Sequence, residues 1–124
     1  MTKILIVDDE KWILEICKSI LTDNKYVVET AQDAQEALKI LDDSFNLVIS
    51  DYKMPGFNGM WLAEQIKNKF NNKIPVIIMT GSIDEIKHSQ KESSGVCDFL
   101  LKPFSINDFL LKVSAIIKSK ETKR

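Results

Sequence analysis

The sequence predicts an α/β fold, a doubly wound sheet of five parallel strands with helices on both faces. Short apolar runs rich in β-branched residues alternate with segments whose apolar side chains recur at helical spacing. The runs are apolar at consecutive positions, as strands buried on both faces must be, and only a few residues connect each element to the next. A further regularity shows where chemistry would sit. The run 4–7 ends in Asp8-Asp9, the next buried run ends in Asp51, another in Thr80-Gly81, and the last in Lys102-Pro103. Ligands of such sheets bind beyond the carboxyl ends of the strands, so these polar residues share one rim.

The first strand, Ile4-Leu5-Ile6-Val7, leads to a helix over residues 10–22 with Ile13, Ile16, Cys17, Ile20 and Leu21 on one stripe. Trp12 and Leu14 fall off that stripe. A second strand covers residues 26–31, and Asp33-Ala34-Gln35-Glu36 then has the spacing of a capping box, opening a helix with Ala37, Leu38 and Leu41 inward. The third strand delivers Asp51 to a turn marked by Pro55-Gly56. Asn58 caps the next helix, with Leu62, Ala63 and Ile66 inward and Trp61 toward solvent. Pro75 introduces the fourth strand. Ser82-Ile83-Asp84-Glu85 opens a short, shallowly packed helix, which Gly95 is suited to end in the left-handed conformation. The fifth strand covers residues 96–101, and the last helix begins at Ser105 with Ile106, Phe109, Leu110, Val113, Ile116 and Ile117 along its stripe.

A length of 124 residues suits one domain, assigned to residues 1–118, with residues 119–124 as a basic tail or the start of a linker. Hydrophobic content of 44% and charged content of 28% exclude disorder as the default. A net charge of -1, with basic residues spread along the chain, gives no bulk attraction to nucleic acid or anionic membrane. Met1-Thr2-Lys3 runs into a short apolar stretch and two aspartates, unlike a signal peptide, and no stretch approaches the ~18 apolar residues of a membrane span. A cytoplasmic location is expected. Cys17 and Cys97 lack metal-ligand spacing and are expected as small buried hydrophobes in a reducing compartment. His88 falls in a polar stretch and is expected to be solvated.

Carboxylates gathered on one rim oppose each other's ionisation, and a hard divalent cation resolves the repulsion. Magnesium, with manganese as a substitute, takes oxygen ligands and is typically held by one or two carboxylates plus phosphate oxygens. Asp9 and Asp51 are the candidates for direct ligation, Asp8 for a water-mediated contact, and the Lys53 carbonyl for a backbone ligand. Asp51 is the candidate nucleophile toward a phosphoryl group, forming an acyl phosphate. Lys102 would neutralise charge on the phosphoryl oxygens. The Thr80 hydroxyl and backbone N–H groups near Tyr52 and Gly81 would hydrogen-bond them.

At these residues the sequence resembles the receiver domain of two-component response regulators, over nearly the whole chain. The resemblance rests on Asp8-Asp9, on Asp51 followed by Met54-Pro55-Gly56, on Thr80, and on Phe99-Leu100-Leu101-Lys102-Pro103-Phe104. It implies a flavodoxin-like strand order of 2-1-3-4-5 and a cis Lys102-Pro103 bond. It further implies that Asp51 takes phosphate from a phosphohistidine on a sensor histidine kinase or a phosphotransfer protein, so the chain is a switch and not a turnover enzyme. In this family phosphorylation draws the threonine toward the phosphoryl group while an aromatic three residues before the lysine turns inward. Thr80 and Phe99 match those roles. The signal would leave through the helix opened at Ser82, the fifth strand and the last helix, to a downstream protein target, with the chain a monomer or a phosphorylation-dependent dimer. Trp12 and Leu14, near the rim on the first helix, would form an exposed apolar pair facing the phosphodonor.

Competing readings meet specific obstacles. A magnesium-dependent phosphatase of haloacid-dehalogenase type also uses an aspartate nucleophile, but needs a second aspartate two positions on, where Lys53 stands. A nucleotide-binding module needs a glycine- or hydroxyl-rich phosphate loop after the first strand, where Asp8-Asp9-Glu10 would repel phosphate. Within the switch class, a stand-alone receiver, a phosphorelay intermediate and a receiver excised from a longer regulator all remain open.

Overall fold

Strands apolar on both faces need helices on both faces, and the computed structural model, which describes residues 1–82, 84 and 95–122, has that arrangement. The strands are β1 (Lys3–Val7), β2 (Val27–Ala31), β3 (Leu47–Asp51), β4 (Val76–Thr80) and β5 (Val96–Leu101). They form one parallel sheet in the order β2-β1-β3-β4-β5. Four helices are found among the described residues, α1 (Lys11–Asp23), α2 (Ala34–Ile40), α3 (Gly59–Lys69) and α4 (Ile106–Thr122). The helix expected to open at Ser82, and His88 with it, lie outside the described residues. Gly95 has a φ of 81°, the left-handed conformation expected of it.

Alternate strand residues feed two cores. Leu5, Val7, Val48, Ile78 and Phe99 pack under α2 and α3, against Ala37, Leu62, Ala63 and Ile66. Ile4, Ile6, Ile49, Ile77 and Leu100 pack under α1 and α4, against Leu14, Cys17, Leu21, Phe109 and Val113. Three helix starts are fastened by side chains. The Asp33 carboxylate accepts from the Glu36 N–H at 2.7 Å, the Asn58 amide oxygen accepts from the Trp61 N–H at 2.9 Å, and at α4 the Ser105 hydroxyl accepts from the Asp108 N–H at 3.0 Å.

Several side chains depart from the expected faces. The inward line of α1 is Leu14, Cys17 and Leu21, so the helix is rotated toward Leu14 and turns Ile16 to solvent. Leu14 is only 6% exposed and cannot form an exposed pair with Trp12. Ile106, the first residue of α4, is exposed, whereas Phe109 in the same turn is fully buried. Cys97, expected to be buried, is exposed, on the strand that ends the sheet. Trp61 is half-buried, stacked on Phe57 with ring centroids 3.8 Å apart. Helix α4 runs to Thr122.

Candidate functional site

The strand order reverses between β1 and β3, because the chain leaves β1 toward β2 on one side and returns to build β3 on the other. The carboxyl ends of β1 and β3 therefore open a crevice, and Asp8, Asp9 and Asp51 stand at it. The hydrogen-bond ladder continues one residue past three strands. The Asp8 N–H donates to the Ala31 carbonyl at 3.1 Å, the Tyr52 N–H to the Met79 carbonyl at 2.9 Å, and the Lys102 N–H to the Thr80 carbonyl at 2.7 Å. Rim backbone is thus fixed as firmly as the sheet, and a short side chain such as aspartate is aimed by it.

Lys102 joins the two sides of the crevice. Its Nζ donates to Asp51 Oδ1 at 2.9 Å and lies 3.5 Å from Asp8 Oδ2. The residue is followed by a cis bond to Pro103. One carboxylate oxygen from each of Asp8, Asp9 and Asp51 lies within 4.8 Å of the others.

One lysine does not balance this charge. Asp8 is fully buried, and burial pushes its carboxyl up to about 6; the Glu10 N–H, which donates to Oδ1 at 3.0 Å, opposes the rise, and the Asp51 charge adds to it. Burial also raises the Asp51 carboxyl, with the hydrogen bond and charge of Lys102 offsetting only part of it. For Lys102 burial works against the ammonium, yet the bond to Asp51 and the charges of Asp51 and Asp8 hold its pKa above the usual range. Asp8 Oδ2 is buried without a hydrogen-bond donor. A buried carboxylate oxygen with no donor, beside two more carboxylates, fits a hard cation with oxygen ligands.

The remaining sequence candidates are distributed around this centre. Thr80, buried at the end of β4, donates its hydroxyl to the Ser82 carbonyl at 3.0 Å and accepts from the Ser82 N–H at 3.2 Å. Phe99 is 6% exposed, already inward in the α2–α3 core while Thr80 is held by Ser82. Lys53 and Gly81 are exposed, in the loops after β3 and β4. The Tyr52 N–H extends the ladder to the Met79 carbonyl. Trp12 is 58% exposed with its indole N–H on the Glu10 carboxylate at 2.8 Å, whereas its expected companion Leu14 is in the core.

Two residues of the site escaped the sequence reading. The Ser50 hydroxyl, fully buried, donates to the Asp51 carbonyl at 3.0 Å. Gly59 opens α3 against that same carbonyl, and its N–H donates to the Tyr52 carbonyl at 2.8 Å. A glycine directly after an N-cap asparagine, where other residues form helix better, was the one available signal for the second.

The sequence matches the family described as response regulator receiver domain over residues 4–114. It is 33% identical over 118 residues to the transcriptional regulatory protein ResD of Bacillus subtilis, covering 94% of this chain and 48% of that protein. It is 32% identical over 124 residues to the response regulator ArlR of Staphylococcus aureus, covering 99% of this chain and 56% of that one. The chain thus spans about half the length of these curated relatives. Among solved structures, a CheY-like receiver domain protein from Methanospirillum hungatei superposes with a TM-score of 0.90 at 30% identity, covering 100% of this chain and 99% of that one. Response regulator TrrA from Thermotoga maritima, solved in complex with Mg2+-BeF, gives a TM-score of 0.83 at 29% identity, covering 94% and 99%.

Proposed function

The chain belongs to the response regulator receiver family, and from that premise we propose that it accepts a phosphoryl group on Asp51 and changes its partner-binding face in response. The observation that carries the proposal is the crevice itself, with Asp51 hydrogen-bonded to Lys102 at 2.9 Å and clustered with Asp8 and Asp9. A carboxylate oxygen of Asp51 attacks phosphorus, the bond from phosphorus to the imidazole nitrogen of a donor phosphohistidine breaks, and the imidazole takes up a proton. The donor is a sensor histidine kinase or a histidine phosphotransfer protein.

Asp8, Asp9, Asp51 and the Lys53 carbonyl would hold Mg2+, or Mn2+ in its place. Bound there, the cation offsets the negative charge of the carboxylates and of the incoming phosphoryl oxygens. That reading is supported by the TrrA structure, whose contents include Mg2+-BeF at a related fold. Lys102 orients the attacking oxygen through its present hydrogen bond and remains beside the transferred group as a counter-charge. Thr80 reaches a phosphoryl oxygen by giving up its bond to the Ser82 carbonyl. That exchange changes the backbone contacts of Ser82, and the change passes along β4 to β5, which carries the buried Phe99, and to the exposed face of β5 and α4. There Leu101 is exposed and Lys112 pairs with Asp98 at 3.0 Å. The occupant of that face is a downstream protein or a second phosphorylated copy. The chain turns over no other substrate.

Intact mass after incubation with acetyl phosphate tests the proposal. Wild type gains one phosphoryl group only with magnesium present, and Asp51→Asn gains none. Equal gain in the variant would overturn Asp51 as acceptor.

A further inference from the structure

A Cβ built on Gly59 would lie 2.4 Å from the Asp51 carbonyl oxygen and 3.1 Å from Ile78 Cδ1. No real side chain approaches a backbone oxygen so closely, and the nearest atom cannot rotate away. Gly59 is not in the left-handed region, so glycine is required there by contact and not by backbone conformation. The same residue closes a loop. Its N–H donates to the Tyr52 carbonyl at 2.8 Å, so residues 52–58 leave the sheet at Tyr52 and are fastened back to it at Gly59. Lys53 lies inside that loop. The Ser50 hydroxyl grips the Asp51 carbonyl at 3.0 Å, leaving it little freedom to retreat.

We propose that Gly59 is a positioning residue for the acidic crevice: having no side chain, it lets the first turn of α3 seat on the Asp51 main chain. Seated so, α3 fixes both the Asp51 carboxylate and the Lys53 carbonyl relative to Asp8 and Asp9. This rests on the reading of the crevice as a magnesium site given above. An alanine would have to move away by about 1 Å to reach ordinary contact. Magnesium demands near-ideal octahedral geometry and tolerates little such displacement.

The test follows amide signals of Asp9 and Lys53 in 15N–1H spectra during titration with magnesium chloride. It compares wild type, Gly59→Ala, Ile66→Val on the core face of the same helix, and the double variant Gly59→Ala/Ile78→Val, which removes the Cδ1 neighbour but leaves the Asp51 carbonyl. Circular dichroism checks that each is folded. Wild type and Ile66→Val should bind magnesium alike, while the single and double variants that contain Gly59→Ala bind roughly tenfold or more weakly. Unchanged affinity in a folded Gly59→Ala protein would overturn the inference while leaving the magnesium site intact. Failure of both Gly59→Ala variants to fold would make Gly59 a requirement of the fold and would also overturn it. No saturable shift in wild type would remove the reading of the crevice, and the inference with it.

Discussion

Asp8 has no solvent exposure, one oxygen without a hydrogen-bond donor, and a carboxyl raised to about 6. The native protein therefore holds this proton more tightly than the unfolded chain, whose value is near 3.8. Between about pH 4 and 6 the native state binds more protons, so this group makes stability fall as pH rises through that window. Asp51, raised in the same direction, adds to the trend. Without metal, Asp8→Asn should stabilise the fold by about 2 kcal/mol at pH 7 and flatten that part of the pH profile, measured by urea unfolding. Magnesium should narrow the difference, because it stabilises only the protein that binds it. The candidate residues Asp8, Asp9, Asp51, Thr80 and Lys102 were legible in sequence because parallel strands bring their carboxyl ends to one side. Ser50 and Gly59 were not, since their partner is a backbone carbonyl that only the packing of α3 on β3 brings near. Leu14 misled because the wider isoleucine stripe outweighed it, although the inward line of the helix runs Leu14, Cys17, Leu21.

Helix α3 shows how local signals and tertiary placement combine. Asn58 accepts from the Trp61 N–H at 2.9 Å, and Leu62, Ala63 and Ile66 are fully buried, all as the spacing predicts. Loss of the cap in Asn58→Ala should cost about 1 kcal/mol, seen as a lower urea midpoint at unchanged slope. The stack of Phe57 on Trp61 could not be foreseen, because Phe57 belongs to a loop whose course is set by the fastening of Gly59 to Tyr52. In α4 the buried positions Phe109, Val113 and Ile117 were legible, whereas Ile106 was not: its spacing fits the stripe, but the buried line of the helix runs Phe109, Val113, Ile117 and leaves Ile106 exposed. Cys97 was not legible as exposed either, since periodicity does not report that β5 ends the sheet. No helix among the described residues is long and apolar enough to cross a membrane.

At the scale of the molecule, the order β2-β1-β3-β4-β5 makes the site. Reversal between β1 and β3 places their carboxylates at one crevice, and β4 and β5 bring Thr80 and Lys102 to its side. Alternating strands and helices made the parallel sheet legible, while the order itself came from resemblance, since apolar runs do not say which strands are neighbours. The central claim, that this crevice exists to phosphorylate Asp51, is tested most directly by locating the modified atom. After incubation with acetyl phosphate and magnesium, borohydride reduction converts an aspartyl phosphate to homoserine, which peptide mass mapping can assign to one residue. Homoserine at position 51, absent when magnesium is omitted, is the predicted result. Homoserine at Asp8 or Asp9 instead, or none in protein that has gained phosphate, would contradict it.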